Sequence, residues 1–208
     1  MGVENGKTPL TECFLTIKNK KMAYQKLQVS DGLLVIPSDR TRIPDPASAI
    51  NLINGTTTSA DGVLAMTADF SAADKNVTFP AGTKLTEMDI QAGAIIYNDV
   101  AGTPKAYTVT GVTSDTVLTV DINTTGGAAN TCFMFAKSTN GCVLYVGTAG
   151  NIGVRLAAHL GNTTTAAAPT NQTLELKNLP NASFLPTQVV QVTSTTPATT
   201  ASDIIALF

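Results

Sequence analysis

Threonine is the feature that limits this sequence most, because it accounts for 33 of the 208 residues. A β-branched side chain loses rotamer freedom in a helix and packs well on a pleated strand. The chain also has 16 glycines and 10 prolines, which interrupt helices and form turns. This combination predicts an all-β fold of short strands joined by polar turns.

The charge content excludes several classes of protein. Charged residues make up 13% of the chain and the net charge is −2, whereas roughly 25% charged residues is usual in soluble proteins. Only three residues are arginine, which argues against a nucleic-acid-binding protein with its concentrated basic surface. Neither a signal-peptide core nor an apolar stretch long enough for a membrane helix is present. We therefore expect a soluble protein made in a cytoplasm, with no membrane partner.

Turn clusters and proline positions divide the sequence into four predicted segments. These are an N-terminal extension (1–21), a first strand with a proline-rich extended arm (22–51), an inserted β module (52–137) and a C-terminal β domain (138–208). Proline fixes φ and lacks an N–H group, so the arm should run extended outside the middle of a sheet.

Short apolar runs predict the strands of both β segments. The clearest unit is a hairpin that joins 106–112 to 116–120 across a polar turn. Five runs crowded into the last 68 residues predict a small sandwich or barrel. The candidate strands are 63–66, 76–79, 94–98, 106–112, 116–121, 131–136, 142–146, 152–156, 173–177, 184–192 and 204–208.

The three cysteines are expected to be reduced. An odd number cannot form a complete disulfide framework within one chain. If residues 132–136 and 142–146 form a hairpin, Cys132 and Cys142 lie roughly 13 Å apart along the strands, beyond the roughly 7 Å that a bridge allows. Cys13 has no obvious partner.

The motif Gly147-Thr-Ala-Gly150-Asn-Ile-Gly153 follows an apolar strand, as a dinucleotide-binding turn does. Its G-x-x-G-x-x-G spacing differs from the usual fingerprint, and too little chain follows to complete a parallel sheet. We interpret it as a hairpin turn in which Gly147 and Gly150 allow positive φ, and we predict no cofactor. His159 is the only histidine and lies beside a polar loop, so neither a catalytic triad nor a metal site is predicted.

Two regions resemble a known class of protein. The stretches GCVLYVGTAGNIGVRLA and TLELKNLPNASFLPTQVVQVTSTTPATTASDIIALF, within residues 141–208, resemble the small C-terminal β domain of structural proteins of tailed phages and gene transfer agents. In those proteins an "LYVGTAGD" turn, an "NVPAGTFLP" turn and a closing "DIVALW"-like strand correspond to 144–151, 178–186 and 203–208. Residues 22–48 resemble the start of many cyanophage virion proteins.

The resemblance implies a virion component and no catalysis, so the chain is not expected to be an enzyme. Members of that class include head decoration, spike-base and tail-associated proteins. The leading hypothesis is a capsid decoration or cement protein located on the capsid surface, with the major capsid protein and copies of itself as partners. A neck, spike-base or tail ring component is the first alternative. A host-surface or carbohydrate-binding β module is the second.

The arm, residues 37–47, supplies the candidate partner-binding residues. Arg40 and Arg42, with Ile43, Pro44 and Pro46, are predicted to reach across subunit boundaries, with the arginines making charge-assisted contacts. Solvated side chains on a linker are the alternative. On this hypothesis, deletion of residues 1–47 leaves the C-terminal domain folded and weakens its attachment to the shell.

Overall fold

The computed structural model describes residues 29–50, 52, 66–100, 103–157 and 173–208, and this part of the chain is nearly all β. Its only helices are the three-residue 3-10 turns Pro46–Ser48 and Leu85–Glu87. The strands are β1 (Gly32–Leu34), β2 (Ala49–Ile50), β3 (Met66–Ala68), β4 (Asn76–Thr78), β5 (Ile95–Asp99), β6 (Lys105–Ser114), β7 (Val117–Val120), β8 (Asn130–Phe135), β9 (Cys142–Thr148), β10 (Gly150–Leu156), β11 (Thr173–Leu179), β12 (Ser183–Thr193) and β13 (Ser202–Leu207). The predicted all-β class is confirmed.

Six strands form one antiparallel sheet, which we call the C-terminal sheet. Its order is β1-β13-β9-β12-β10-β11, so the first strand of the described chain pairs with the last. Leu34 of β1 lies opposite Ile205 of the apolar terminal strand. The sheet is open and does not close into a barrel, since β1 and β11 are its two ends.

The segment between β1 and β9 contributes a second antiparallel sheet, the inserted sheet. Its order is β2-β8-β5-β6-β7-β4, and β3 also pairs with β8. The predicted hairpin of β6 and β7 is confirmed, with Val112 opposite Leu118. Of the predicted strands, 63–65 lie outside the described residues.

Each sheet has its own apolar core. Phe70, Leu118 and Met134 belong to the cluster of the inserted sheet, while Leu144, Val154 and Ile204 belong to that of the C-terminal sheet. Along β7 and β9 buried residues alternate with partly buried ones, as expected for a sheet with one covered face. In β5 and the end of β12 consecutive residues are buried, so both faces are covered there.

A third cluster joins the two sheets. Ile95, Tyr97 and Phe135 of the inserted sheet pack with Leu33 and Ile36, which precede the arm. Tyr97 and Phe135 meet edge to face, with ring centroids 5.6 Å apart. Burial raises the pKa of Tyr97, although the backbone of Ile36 hydrogen-bonds its hydroxyl. The N-terminal strand therefore contacts both sheets.

The arm lies along its own chain, which corrects one expectation from the sequence. The N–H groups of Ser38 and Ile43 donate to the carbonyls of Val192 and Val190, at 2.8 and 2.9 Å. Val35 and Ile43 are buried in the core of the C-terminal sheet. Deletion of residues 1–47 would remove β1 and both core side chains, so it would not leave the C-terminal domain intact.

Residues 132–136 and 142–146 do not form the hairpin considered from the sequence. Residues 130–135 form β8 of the inserted sheet, whereas 142–148 form β9 of the C-terminal sheet. The turn between them therefore carries the chain from one sheet to the other. Cys132 and Cys142 are both buried and unpaired, because each packs in a different core.

The glycine motif forms a corner, and the expected hairpin turn is wrong. Only Ala149 separates β9 from β10, yet β12 lies between these strands in the sheet. Neither Gly147 nor Gly150 has a positive φ. Glycine is needed here for close approach: a Cβ on Gly147 would lie 2.8 Å from Cβ of Asp203, and one on Gly153 would lie 2.5 Å from the carbonyl oxygen of Pro197.

No helix in the described part of the chain has the length and apolar character needed to cross a membrane.

Candidate interaction surface

Four apolar side chains line up across the outer face of the C-terminal sheet. Leu34 of β1 is opposite Ile205 of β13, Ile205 is opposite Tyr145 of β9, and Tyr145 is opposite Phe184 of β12. Directly opposite residues of antiparallel strands project from the same face. We call Leu34, Ile205, Tyr145 and Phe184 the apolar row.

The neighbours of these residues show that the row faces away from the core. Leu144 and Val146, on either side of Tyr145, are fully buried, and Ile204 and Ala206 flank Ile205 in the same way. Because successive side chains of a strand point to opposite faces, Tyr145 and Ile205 must face outward. The row crosses four strands, a span of roughly 14 Å at the usual strand spacing.

Both ends of the row are open to solvent. Leu34 and Phe184 are 57% and 58% exposed, the highest fractions among the exposed large apolar residues of the described chain. The rings of Tyr145 and Phe184 are 5.2 Å apart and tilted by 58°, which is a usual aromatic pair geometry. Val143 and Leu207, opposite each other two residues along, are partly buried on the same face.

The row has a polar boundary on one side. Asp203 lies two residues before Ile205 in β13, and it accepts a 2.5 Å hydrogen bond from the Thr148 hydroxyl. No member of the row carries a charge, so a partner could cover it without desolvating an ion. A contiguous exposed apolar surface of this kind is typical of an interaction site.

Sequence reasoning missed the row because it did not give the order of the strands. A signal was present, however. The runs 142–146 and 204–208 are apolar at nearly every position, and such uninterrupted runs are typical of strands covered on both faces. The core accounts for one face only, so the second apolar face lacks a covering layer within the described chain.

The five candidate arm residues occupy different environments. Ile43 and Pro44 are buried, so they face the chain's own core in this structure. Arg40 is largely exposed, and its Nε lies 3.6 Å from a carboxylate oxygen of Asp121 in the inserted sheet. Arg42 is half-buried and makes no ion pair with a described residue, while Pro46 begins a 3-10 turn. The two arginines remain candidates for partner contacts.

Asp39 fixes the arm to the threonine-rich connection before β13. Its carboxylate accepts hydrogen bonds from the N–H groups of Ser194 and Thr195 at 2.9 and 3.1 Å, and from both hydroxyls at 2.8 and 2.5 Å. Burial opposes ionisation, but the combined hydrogen bonds outweigh it and lower the pKa of Asp39 to about 2. This carboxylate is a structural anchor.

A cleft of about 520 Å³ lies between the arm and the inserted sheet. Asp39, Arg40 and Lys105 are its charged lining residues. Each already has a partner, since Asp39 binds Ser194 and Thr195, Arg40 faces Asp121 and Lys105 donates to Thr125. The charged groups that line the cleft are therefore already engaged within the chain.

The described residues contain no group of three or more histidine, cysteine or acidic side chains placed to hold a metal ion. Burial raises the pKa of the Cys132 and Cys142 thiols to about 12, so neither is an activated nucleophile. His159 lies outside the described residues, as does Cys13.

Comparisons of the chain with protein-family models, with curated proteins and with solved structures gave no match.

Proposed function

We propose that this chain is a structural component of a virus particle, and that it decorates and stabilises the assembled capsid from outside. The resemblance of residues 22–48 and 141–208 to phage virion proteins suggests the class. The apolar row is the single observation that supports a docking role. It aligns four uncharged apolar side chains on the outer face of the C-terminal sheet, and its two ends are exposed.

The row suits docking on a protein shell because its components are rigid. Three of its four residues lie in β9, β12 and β13, which are central strands of the sheet. Little side-chain or backbone freedom is therefore lost when a partner covers the surface. A protein that binds only the assembled shell stabilises that state by mass action, and repeated copies strengthen the attachment through avidity.

The inserted sheet would be held firmly in such a particle. Besides the cluster around Tyr97, Lys137 pairs with Asp45 at 3.7 Å and Thr41 donates to the carbonyl of Ala106 at 3.4 Å. The arm therefore serves as a brace between the sheets. This internal role replaces part of the expected role in reaching across subunits, and leaves Arg40 and Arg42 as its exposed charges.

The test is co-sedimentation of the purified chain with shells that lack it. Leu34→Ser and Phe184→Ser should each weaken shell binding by about tenfold, as loss of a buried apolar anchor does at an interface. Val29→Ser is the matched control, because Val29 is 47% exposed but lies outside the strands that form the row. Thermal unfolding should be nearly unchanged in all three variants, since the side chains are exposed.

Equal shell binding by the Leu34, Phe184 and Val29 variants would contradict the docking role of the row. Failure of the wild-type chain to co-sediment with any shell would contradict the decoration hypothesis itself. Particle imaging separates decoration from the neck, spike-base or tail alternative, because the first predicts density across the capsid surface and the second only along the tail axis.

The Tyr145–Phe184 pair also favours a second candidate, a carbohydrate-binding module. Exposed aromatic faces are apolar platforms with a polar rim, and sugars stack on such surfaces. Glycan-array binding that is lost in Phe184→Ser but kept in Val29→Ser would support this alternative. The aromatic pair that would carry such binding lies in the C-terminal sheet, on β9 and β12.

A further inference from the structure

Strand β11 is an edge strand of the C-terminal sheet, at the end of the sheet opposite to β1. It pairs with β10 on one side, and on its other side it pairs with no strand in the described part of the chain. Its backbone there presents donors and acceptors that can extend the sheet. Natural proteins often use such an edge to add a strand from another chain.

The two faces of β11 differ in chemistry. Leu174 and Leu176 are opposite the fully buried Val154 and Ile152, so they lie on the core face. Leu174 is nevertheless 40% exposed, because β11 is at the margin of the core. A neighbouring strand that carried leucines on the same face would extend the core over it.

Glu175 and Lys177 lie on the other face and pair with each other at 3.2 Å. Leu176 and Leu179 are three residues apart, yet both pack on the core. They can share a face because the pairing with β10 shifts register between them at a bulge, where Asn178 has a φ of 55°.

We propose that β11 pairs with β11 of a second copy of this chain, antiparallel and centred on Leu176. A two-fold axis perpendicular to the sheet through Leu176 places each Glu175 opposite Lys177 of the second copy. The two Leu176 side chains meet across the axis, and each Leu174 lies diagonal to Leu176 of the other copy. Such an isologous contact is self-complementary on both faces at once.

Charge disfavours the two neighbouring registers. Directly opposite residues of antiparallel strands must project from the same face of the sheet. The two-fold axis can therefore pass only through a residue, and a change of register moves the axis from one residue to another. Centring the pairing on Glu175 would place two carboxylates directly opposite, and centring it on Lys177 would do the same with two ammonium groups. Like charges opposite each other destabilise a strand pair. The bulge at Asn178 ends the pairing beyond that point.

The contact is short, so the expected association is weak. Five residues per copy, 174–178, bury far less than the roughly 1,200 Å² of a stable protein interface. Self-association should therefore appear only at high concentration, or on a surface that holds copies side by side. The inference goes beyond the proposed function and does not depend on it, because its test uses no shell.

The test is sedimentation velocity of the full chain between roughly 10 μM and 1 mM, a range suited to weak dimers. The wild-type sedimentation coefficient should rise with concentration. Glu175→Lys and Lys177→Glu should each raise the dimer dissociation constant by at least about tenfold, because each homodimer would oppose like charges. Both side chains are on the outer face, so circular dichroism should show the wild-type fold.

Mixing the two single variants gives the decisive result. One carries two lysines and the other two glutamates at these positions, so the mixture should form a heterodimer although each variant alone is monomeric. The double variant Glu175→Lys/Lys177→Glu should dimerise as the wild type does. A strictly monomeric wild type, or a mixture that stays monomeric while the wild type dimerises, would overturn the inference. Neither result would bear on docking through the apolar row.

Discussion

Replacement of Gly150 by alanine tests the role of the glycine motif directly. The added methyl would lie 2.7 Å from both Cα of Ala201 and the carbonyl carbon of Thr200, and closer still to the Ala201 nitrogen. Carbon atoms make favourable contacts only from about 3.5 Å outward. Every obstructing atom is backbone, so a side-chain rotation cannot relieve the clash.

The backbone that would have to move is itself hydrogen-bonded. The N–H groups of Thr200 and Ala201 both donate to the carbonyl oxygen of Asn151, at 2.9 and 3.1 Å. Overpacking of this kind destabilises by about 1–3 kcal/mol, and each weakened hydrogen bond contributes about 0.5–1.5 kcal/mol. The total loss should be about 2–6 kcal/mol, a large part of the roughly 5–15 kcal/mol that stabilises a typical domain.

Differential scanning calorimetry of the full chain measures this loss. For a protein of this size, 1 kcal/mol corresponds to about 2–4 °C in Tm, so Gly150→Ala should lower the transition of the C-terminal sheet by roughly 10 °C. Gly111→Ala is the matched control. Gly111 lies in β6 without a positive φ, and a Cβ there would meet nothing within 4 Å.

The control variant should be neutral or slightly stabilising, by up to about 1 kcal/mol, because alanine loses less backbone entropy than glycine on folding. If Gly150→Ala unfolds within about 2 °C of the wild type, the close packing of β10 against residues 200–201 is not as described. The corner interpretation of the motif would then fail.

Two further predictions concern side-chain hydrogen bonds. Folding lowers the pKa of Asp39 from 3.8 to about 2, so the ionised carboxylate contributes stability above pH 4 that is lost as the pH falls from about 4 towards 2. Asp39→Asn should therefore reduce the pH dependence of the unfolding free energy in that window. An unchanged profile would show that other carboxyl groups are responsible for the pH dependence. The Tyr107 hydroxyl donates to the carbonyl of Thr125 at 3.1 Å and accepts from the N–H of Thr125 at 3.0 Å. Tyr107→Phe should therefore lower the unfolding free energy of the inserted sheet, measured by urea titration, by about 1–3 kcal/mol. A change below about 0.5 kcal/mol would mean that water replaces both hydrogen bonds.

The local structure of this protein could largely be predicted from its sequence. Threonine content and turn residues were sufficient for the all-β class, and most predicted strands lie within one or two residues of those observed. The hairpin of β6 and β7 was also predictable, because a polar turn between two alternating runs determines which strands meet.

Pairings between distant segments could not be predicted. The joining of β1 to β13 connects residues more than 170 positions apart in the sequence, and no local pattern specifies such a partner. The turn at 137–141 illustrates the same limit, because a short polar connection can lead either to a hairpin or to a different sheet. The glycines of the 147–153 motif were recognisable as special, but the backbone that approaches them comes from residues 197–203.

The apolar row shows which of its properties come from the sequence and which come from the tertiary structure. The sequence determined that Leu34, Tyr145, Phe184 and Ile205 would lie in apolar strands, because side-chain type and period are local properties. Only the strand order placed them in one line on one face, since that order depends on which distant segments bury each other best. The same is true of β11. Its charged residues can be read from the sequence, but its position at the edge of the sheet is a property of the whole fold.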